Sequence, residues 1–377
     1  MAKKKKVRVD MRKNRSKPPR QRQWTRGFQE HGFAEEATSQ GERVRAKGDL
    51  SRRRTIIQDE SSQAVTDMPM VDVSSCRAGR VLRVHGLQSV VEAEDGKQYR
   101  CSVRRVLRTL ATDERNIVTT GDRVWFLPAL TDEGVIERVE PRHGLLTRAS
   151  RGREHVLVAN VDQVVIVVSL VEPELKPHLI DRYLVSAEQG GIAPIICLNK
   201  ADLVDPTPYQ PIIGLYSQLG IPTLLTSAAT EQGINQLRSR LKDRQTVFTG
   251  QSGVGKSSLL NRIQPELGLR VREVSAGTQK GKHTTTTAEL IRLEFGGWVV
   301  DTPGIRQFQL WDIIPEEVEG FFPEFRPYVP LCAFPDCTHT HEERCAVKNA
   351  VENRLISANR YTSYLGIYTG AGDLTFD

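Results

Sequence analysis

The chain has 377 residues, of which 38% are hydrophobic, and a formal net charge of +7 at pH 7. This length predicts two or three domains with apolar cores. The longest largely apolar run, Val164 to Val171, has the length of a strand and is far too short to span a membrane. Without a signal peptide or a membrane span, the sequence predicts a cytoplasmic protein with no membrane partner.

Residues 1–74 are predicted to be a basic, disordered N-terminal extension. The first sixty residues hold 18 Lys or Arg against 8 Asp or Glu and few aliphatic side chains. Such a segment can bind phosphate backbones, and Trp24, Phe28 and Phe33 could stack on unpaired bases. From the residues alone, a solubilising arm is an equally good interpretation.

Residues 75–148 are predicted to form a small β-barrel. Short alternating segments at 79–84, 89–93, 98–103, 122–126 and 134–139 favour the five-stranded barrel used for oligonucleotide binding, the OB fold. A basic edge on this barrel would be either an RNA contact or a solvated charged face. Its residues are Arg100, Arg104, Arg105 and Arg108.

Residues 149–322 alternate apolar strands with amphipathic stretches, which predicts an α/β nucleotide-binding domain. The expected strands are 163–169, 193–198, 222–226, 246–249 and 298–301.

Two loops of this domain are predicted to bind a base. Asn199, Lys200, Ala201 and Asp202 follow a strand at the edge where ligands bind in parallel sheets. The Asp202 carboxylate can accept from guanine N1–H and the exocyclic amine, whereas adenine has no donor at N1. Ser227 and Ala228 fit a companion loop that reaches guanine O6 through backbone N–H. Taken alone, the first motif fits a surface turn with a helix N-cap equally well.

A phosphate-binding loop follows the base loops in the chain. Gly250 to Ser257 matches G-x-x-x-x-G-K-[ST] between a strand and a helix. Its backbone N–H groups would surround phosphate oxygens, Lys256 would reach the terminal phosphates, and Ser257 would ligate Mg²⁺.

Two further loops are predicted to be the switches of a GTPase. Asp301 ends a strand and could hold Mg²⁺ through water, while the Gly304 amide could meet the γ-phosphate. In the polar loop 281–287, Thr286 is favoured over Thr285 for closing over Mg²⁺. The residues predicted to bind the nucleotide are Asn199, Lys200, Ala201, Asp202, Ser227, Ala228, Gly250, Gln251, Ser252, Gly253, Val254, Gly255, Lys256, Ser257, Ser258 and Asp301. The residues predicted to act in catalysis are Lys256, Thr286, Gly304 and His283.

Residues 323–377 are predicted to be a small, mostly helical metal-binding domain. Cys332, Cys337, His339 and Cys345 give three thiolates and one imidazole, the composition of a closed structural zinc site. His341 is expected to face solvent instead. The spacing of apolar residues predicts one helix over 348–364.

The motifs occur with the base loops before the phosphate loop, which is a rotation of the usual GTPase order. In this respect, and in its cysteine spacing, the chain resembles the RsgA (YjeQ) family of circularly permuted GTPases over roughly residues 75–350. The resemblance implies an OB-fold barrel, a zinc site at the four residues above, and action in maturation of the small ribosomal subunit. It favours rRNA as the partner of the basic extension, and we expect a monomer.

The position after Gly304 bears on the rate of hydrolysis. Many GTPases have a glutamine there to orient water, but this chain has Ile305, so intrinsic turnover should be slow. His283 is a hypothetical substitute, because imidazole can accept from water or donate to phosphate. The resemblance to the RsgA family implies that the bound small subunit stimulates hydrolysis, and we expect hydrolysis to release the protein.

Two alternatives stay open from the sequence. The protein could be an RNA-binding scaffold that a nucleotide merely stabilises, or a permuted GTPase that acts on another RNA target.

Overall fold

The computed structural model describes residues 5–10, 53–58, 73–104, 107, 117–129, 132–150, 153–268, 288–301 and 315–370. In the basic extension, β1 (Lys5–Asp10) pairs antiparallel with β2 (Arg53–Gln58). No strand is predicted here from the sequence. Both segments carry β-branched residues, which favour extended backbone.

The predicted five-stranded barrel is confirmed. Its strands are β3 (Arg77–His85), β4 (Gln88–Ala93), β5 (Gln98–Val103), β6 (Arg123–Pro128) and β7 (Glu133–Val139). The sheet closes because β3 pairs with both β4 and β6, while β5 and β7 pair in parallel. Alternate side chains of the strands fill the interior, with Val81, Phe126 and Ile136 completely buried.

A hairpin joins the barrel to the α/β region. It consists of β8 (Leu146–Ser150) and β9 (Arg153–Val158), two strands that were not predicted from the sequence.

The α/β region contains a parallel sheet with helices on both faces. In chain order its elements are β10 (Gln163–Ser169), α1 (Pro177–Gln189), β11 (Ala193–Asn199), α2 (Gln210–Gln218), β12 (Thr223–Leu225), α3 (Ile234–Leu241), β13 (Gln245–Thr249), α4 (Lys256–Ile263), β14 (Glu289–Arg292) and β15 (Trp298–Asp301). The strand order β12-β11-β10-β13-β15 is parallel throughout, and every residue of β10 is buried. The expected α/β architecture is therefore confirmed.

The sheet does not end at the α/β region. The antiparallel strand β14, which was not predicted, pairs with β15 on one side and with β3 of the barrel on the other. The barrel and the nucleotide-binding sheet consequently form one continuous eleven-stranded sheet.

Side chains reinforce this junction between the barrel and the α/β region. The Arg80 guanidinium lies 3.9 Å from the centre of the Trp298 ring and donates to Gln245 Oε1 at 2.8 Å. Burial lowers the pKa of Arg80 to about 10, so the guanidinium still carries its charge at neutral pH. The Thr120 hydroxyl donates to the carbonyl of Ala288 at 2.9 Å. The barrel thus contacts the strands that flank the two predicted switches.

The C-terminal part consists of 3₁₀ helices at Pro315–Phe321, Pro323–Phe325 and Val329–Leu331, followed by α5 (Ala346–Glu352) and α6 (Ala358–Tyr368). The prediction of one helix over 348–364 is wrong. Arg354 adopts a left-handed φ of 59°, which ends α5 and turns Ile356 into the core while leaving Leu355 66% exposed. None of the helices in the described ranges is long and apolar enough to cross a membrane.

Candidate nucleotide site and metal centre

Asn199 connects three of the predicted nucleotide-binding loops. Its side-chain amide donates to the carbonyl of Val254 in the phosphate loop at 2.8 Å, and its Oδ1 accepts from the Thr226 hydroxyl at 3.2 Å. Asn199 is 1% exposed, so these bonds form away from competing water. Loops that are far apart in the chain therefore meet at the carboxyl ends of β11, β12 and β13.

The first base loop presents an acidic side chain to solvent. Lys200 adopts a left-handed φ of 62°, which turns the chain into a 3₁₀ helix at Ala201–Leu203. Asp202 is exposed at the first turn of that helix, while Ala201 is buried beneath it. An exposed carboxylate on a buried support is available to accept hydrogen bonds from a base.

The second base loop is held by its own side chains and by α4. Ser227 Oγ accepts from the backbone N–H groups of Ala229 and Thr230 at 3.2 and 3.1 Å. Arg262, on α4, donates to the carbonyl of Ala228 at 2.9 Å and pairs with Glu231 at 3.1 Å. The helix that follows the phosphate loop thus also holds the second base loop. No motif in the sequence points to Arg262, because its partners lie more than thirty positions upstream.

The phosphate loop has a backbone that glycine alone accommodates at two positions. Gly250 has φ 136°, and a Cβ there would lie 2.0 Å from the Val167 carbonyl oxygen. Gly255 has φ 96°, and a Cβ there would lie 2.4 Å from Asn199 Nδ2. Close approach of the loop to β10 and to Asn199 therefore depends on these glycines.

The helix α4 begins at Lys256, directly after the loop, so Ser257 and Ser258 lie in its first turn. The backbone N–H groups of that turn and the helix dipole favour an anion at the loop. Lys256 Nζ donates to the carbonyls of Gly250 and Gln251 at 2.7 and 2.6 Å. The remaining loop residues, Ser252 and Gly253, lie between these anchors.

The predicted switches are described only in part. Asp301 is the last residue of β15, which pairs with β13, the strand that leads to the phosphate loop. Its backbone therefore lies at the same edge of the sheet. The other predicted switch residues lie outside the described residues: His283, Thr285, Thr286, Gly304 and Ile305.

Cys332, Cys337, His339 and Cys345 form one cluster, with their ligand atoms all within 4.8 Å of one another. His339 Nδ1 lies 3.3 Å from Cys345 Sγ and 3.6 Å from Cys332 Sγ. Three sulfurs and one nitrogen at these separations suit a tetrahedral Zn²⁺ site. The cluster can hold one zinc ion, in agreement with the prediction from spacing.

Hydrogen bonds fix the loop that carries His339. The hydroxyls of Tyr361 and Tyr364 on α6 donate to the carbonyls of His339 and Thr338, both at 2.7 Å. Glu342 accepts from the N–H and hydroxyl of Thr338 at 2.7 and 2.6 Å, and from the N–H of Thr340 at 2.9 Å. Burial opposes ionisation of Glu342, but these bonds outweigh it and lower its pKa to about 2.

His341 is not part of the cluster. Its side chain is 84% exposed, as expected from the sequence.

Known proteins share both the sequence and the fold. The profile of the RsgA GTPase family matches residues 139–311. A small ribosomal subunit biogenesis GTPase RsgA from Chlorobaculum parvum is 42% identical over 302 residues, which cover 77% of this chain and 96% of that protein. The chain belongs to the RsgA family. Another RsgA, from Pectobacterium carotovorum, is 39% identical over 336 residues, which cover 86% of this chain and 92% of that protein.

Solved structures related to RsgA have the same architecture. YjeQ from Thermotoga maritima matches with a TM-score of 0.65 and 39% identity, covering 78% of this chain and 98% of that one. YloQ, a circularly permuted GTPase, matches with a TM-score of 0.62 and 31% identity, covering 80% of this chain and 96% of that one. As an RsgA GTPase, the chain hydrolyses GTP, and its nucleotide ligands are GTP and GDP with Mg²⁺. The permuted order of loops predicted from the sequence is confirmed.

Proposed function

We propose that this RsgA GTPase acts in late maturation of the small (30S) ribosomal subunit, in the cytoplasm and as a monomer. The observation that carries the proposal is similarity to proteins named small ribosomal subunit biogenesis GTPase over 92–96% of their length. In this proposal the protein binds the subunit and its rRNA in the GTP state, the subunit stimulates hydrolysis, and hydrolysis releases the protein.

The four predicted segments supply domain roles in this proposal. Residues 1–74 and the barrel at 75–148 contact rRNA, residues 149–322 bind and hydrolyse GTP, and residues 323–377 hold zinc. The contacts of Arg80 with Trp298 and of Arg360 with Asp181 support joint action, because each crosses between two of these segments.

The nucleotide-binding roles follow from the loops. Asp202 would recognise guanine N1–H and its amine, and the Ser227–Ala228 backbone would reach O6. Residues 250–258 would enclose the phosphates. Lys256 would move from the loop carbonyls to the terminal phosphates, where its charge opposes the charge of the transferring group.

Hydrolysis would need the switch residues as well. Ser257, Thr286 and Asp301 would hold Mg²⁺, and the Gly304 amide would contact the γ-phosphate. Ile305 cannot orient water, so turnover without the subunit should be slow, and His283 would orient the attacking water once the subunit is bound. A His283→Ala variant that keeps the parental stimulated rate would remove this role for His283.

The deciding experiment measures GTP hydrolysis by the protein alone, with small subunits, and with large subunits as the control partner. Stimulation by small subunits only is the expected result. Slow turnover that neither subunit changes would contradict the proposal and favour a nucleotide-stabilised RNA-binding scaffold, the interpretation that Ile305 supports.

A specificity variant provides a matched control. Asp202→Asn replaces one acceptor oxygen by an amide donor, which suits the 2-oxo group of xanthine better than the 2-amino group of guanine. We expect stimulated turnover of GTP to fall and that of XTP to rise.

A binding assay tests release on hydrolysis. Equal affinity of the protein for small subunits with GDP and with a non-hydrolysable GTP analogue would contradict this step.

A further inference from the structure

The buried imidazole of His339 connects the metal cluster to a carboxylate that no ligand spacing predicts. His339 Nε2 lies 2.9 Å from Glu319 Oε2, whereas Nδ1 faces the sulfurs of Cys332 and Cys345. The His339 side chain is 0% exposed and that of Glu319 is 35% exposed. Nε2 therefore lies within hydrogen-bond distance of an acceptor, and Nδ1 faces the metal cluster.

We propose that Glu319 is a positioning residue for the metal site, which acts through His339. A neutral imidazole has one N–H donor and one lone pair, and the partner of one nitrogen decides which is which. The Glu319 carboxylate accepts a hydrogen bond from Nε2–H, so the lone pair of Nδ1 points at the metal position. A carboxylate in this place also makes the ligand nitrogen more basic and fixes the plane of the ring.

The packing around His339 leaves the ring little freedom to find another acceptor. The ring of Phe325 meets it edge-on at 6.2 Å between centroids, and that of Tyr364 lies 6.2 Å away on a tilted plane. Glu342, another carboxylate nearby, accepts from Thr338 and Thr340 rather than from the ring. Glu319 is thus the acceptor that sets the tautomer.

The position of Glu319 is built into the fold. It lies on the 3₁₀ helix Pro315–Phe321, where Val318 is completely buried in the core of the C-terminal part. Glu319 stands 20 positions before His339, outside the loop that carries the ligands. A bound metal would therefore stabilise the contact between this 3₁₀ helix and the metal loop.

The test compares zinc affinity among variants by competition with a chromophoric chelator. Glu319→Ala should raise the dissociation constant for zinc by roughly 10- to 100-fold, the usual effect of losing such a partner. Glu319→Gln keeps an acceptor oxygen of the same shape without the charge, so it should recover a large part of the affinity. Glu317→Ala, an exposed glutamate on the same helix, is the matched control and should bind zinc like the parent.

The absorption spectrum of the Co²⁺-loaded protein gives a second readout that is independent of GTP hydrolysis. Loss of the Nε2 acceptor should shift the d–d bands in Glu319→Ala and leave them unchanged in Glu317→Ala. The proposal is overturned if Glu319→Ala binds zinc as tightly as Glu317→Ala, or if Glu319→Gln is as impaired as Glu319→Ala.

Discussion

Arg360 on α6 donates to Asp181 on α1 at 2.8 Å, and their side chains are 3% and 1% exposed. Glu324 also accepts from Arg360 at 2.6 Å, and the Tyr216 hydroxyl donates to Asp181 at 2.8 Å. Burial raises the pKa of Asp181, and pairing with Arg360 opposes that rise. Burial likewise disfavours the charge of Arg360, yet the two carboxylates raise its pKa and keep it protonated. This network joins the nucleotide-binding region to the metal-binding part.

Replacing Arg360 should destabilise the protein strongly. Arg360→Met leaves Asp181 buried without its cation, which costs about 3–5 kcal/mol in comparable buried pairs. The double variant Arg360→Met/Asp181→Asn should recover part of that loss, because the neutral amide can still accept from Tyr216. Urea unfolding measures the free energy of unfolding of both variants, and Arg240→Met, which replaces an exposed arginine on α3, is the control. A double variant less stable than Arg360→Met would argue against an unpaired charge as the cause.

Replacing Gly255 should weaken nucleotide binding. In Gly255→Ala the new Cβ would lie 2.4 Å from Asn199 Nδ2, in a left-handed conformation that costs an L-residue about 1–2 kcal/mol. Relief requires Asn199 to move, which breaks its bond to Val254. We expect GDP affinity to fall by at least about tenfold.

Titration with a fluorescent GDP analogue measures this loss. Gly214→Ala on α2 is the control, because nothing lies within 4 Å of its added Cβ. Equal affinity of the two variants would show that the loop does not need the contact between Gly255 and Asn199.

Local sequence patterns predicted the helices and strands of this protein better than they predicted which distant elements pair with one another. The runs at 163–169 and 298–301 became β10 and β15 with the predicted bounds, because continuous apolar segments of strand length have few alternatives in a buried sheet. Strand β14 was missed because it has four residues, two of them charged, and gains its place from pairing on both sides. The junction between β14 and the barrel depends on pairs such as Glu289 with Arg83, which are about two hundred positions apart.

The same limit applies to the candidate site. Motif spacing predicted the four metal ligands and the phosphate loop, because both chemistries require fixed short spacings. Arg262 and Glu319 were missed because each acts on a loop distant in the chain. The break between α5 and α6 was missed because Arg354, a residue type that rarely adopts positive φ, turns the chain there.

Glu342 should stabilise the fold at neutral pH. Its pKa is lowered from 4.5 to about 2, so the folded state favours the charged form. A lowered pKa gives stabilisation that is fully present above about pH 4.5 and is lost as the pH falls towards 2. Glu342→Gln should therefore lower the free energy of unfolding at pH 7, by about 3 kcal/mol at most.

Denaturant unfolding of the zinc-loaded protein at pH 8, 7 and 6 tests this point. The difference in free energy of unfolding between the parent and Glu342→Gln should stay constant over that range. All three pH values lie above the pKa of Glu342 in the unfolded state and in the folded state. The exposed Glu343→Gln is the matched control. A difference that changes steadily between pH 8 and 6 would point to another titrating group.

The six cysteines should react with a thiol reagent in three separate groups. Cys76 is partly exposed, whereas burial raises the pKa of Cys101 and of Cys197 to about 12, so almost no thiolate forms at pH 8. Three more thiols belong to the metal cluster. In the zinc-loaded protein we expect one thiol to react, three further thiols after a chelator removes the metal, and the last two only after unfolding. Colourimetric titration counts them, and Cys76→Ser should abolish the first group alone. Rapid reaction of several thiols before chelation would mean that the cluster does not hold metal in solution, since metal-bound thiolates are shielded from the reagent.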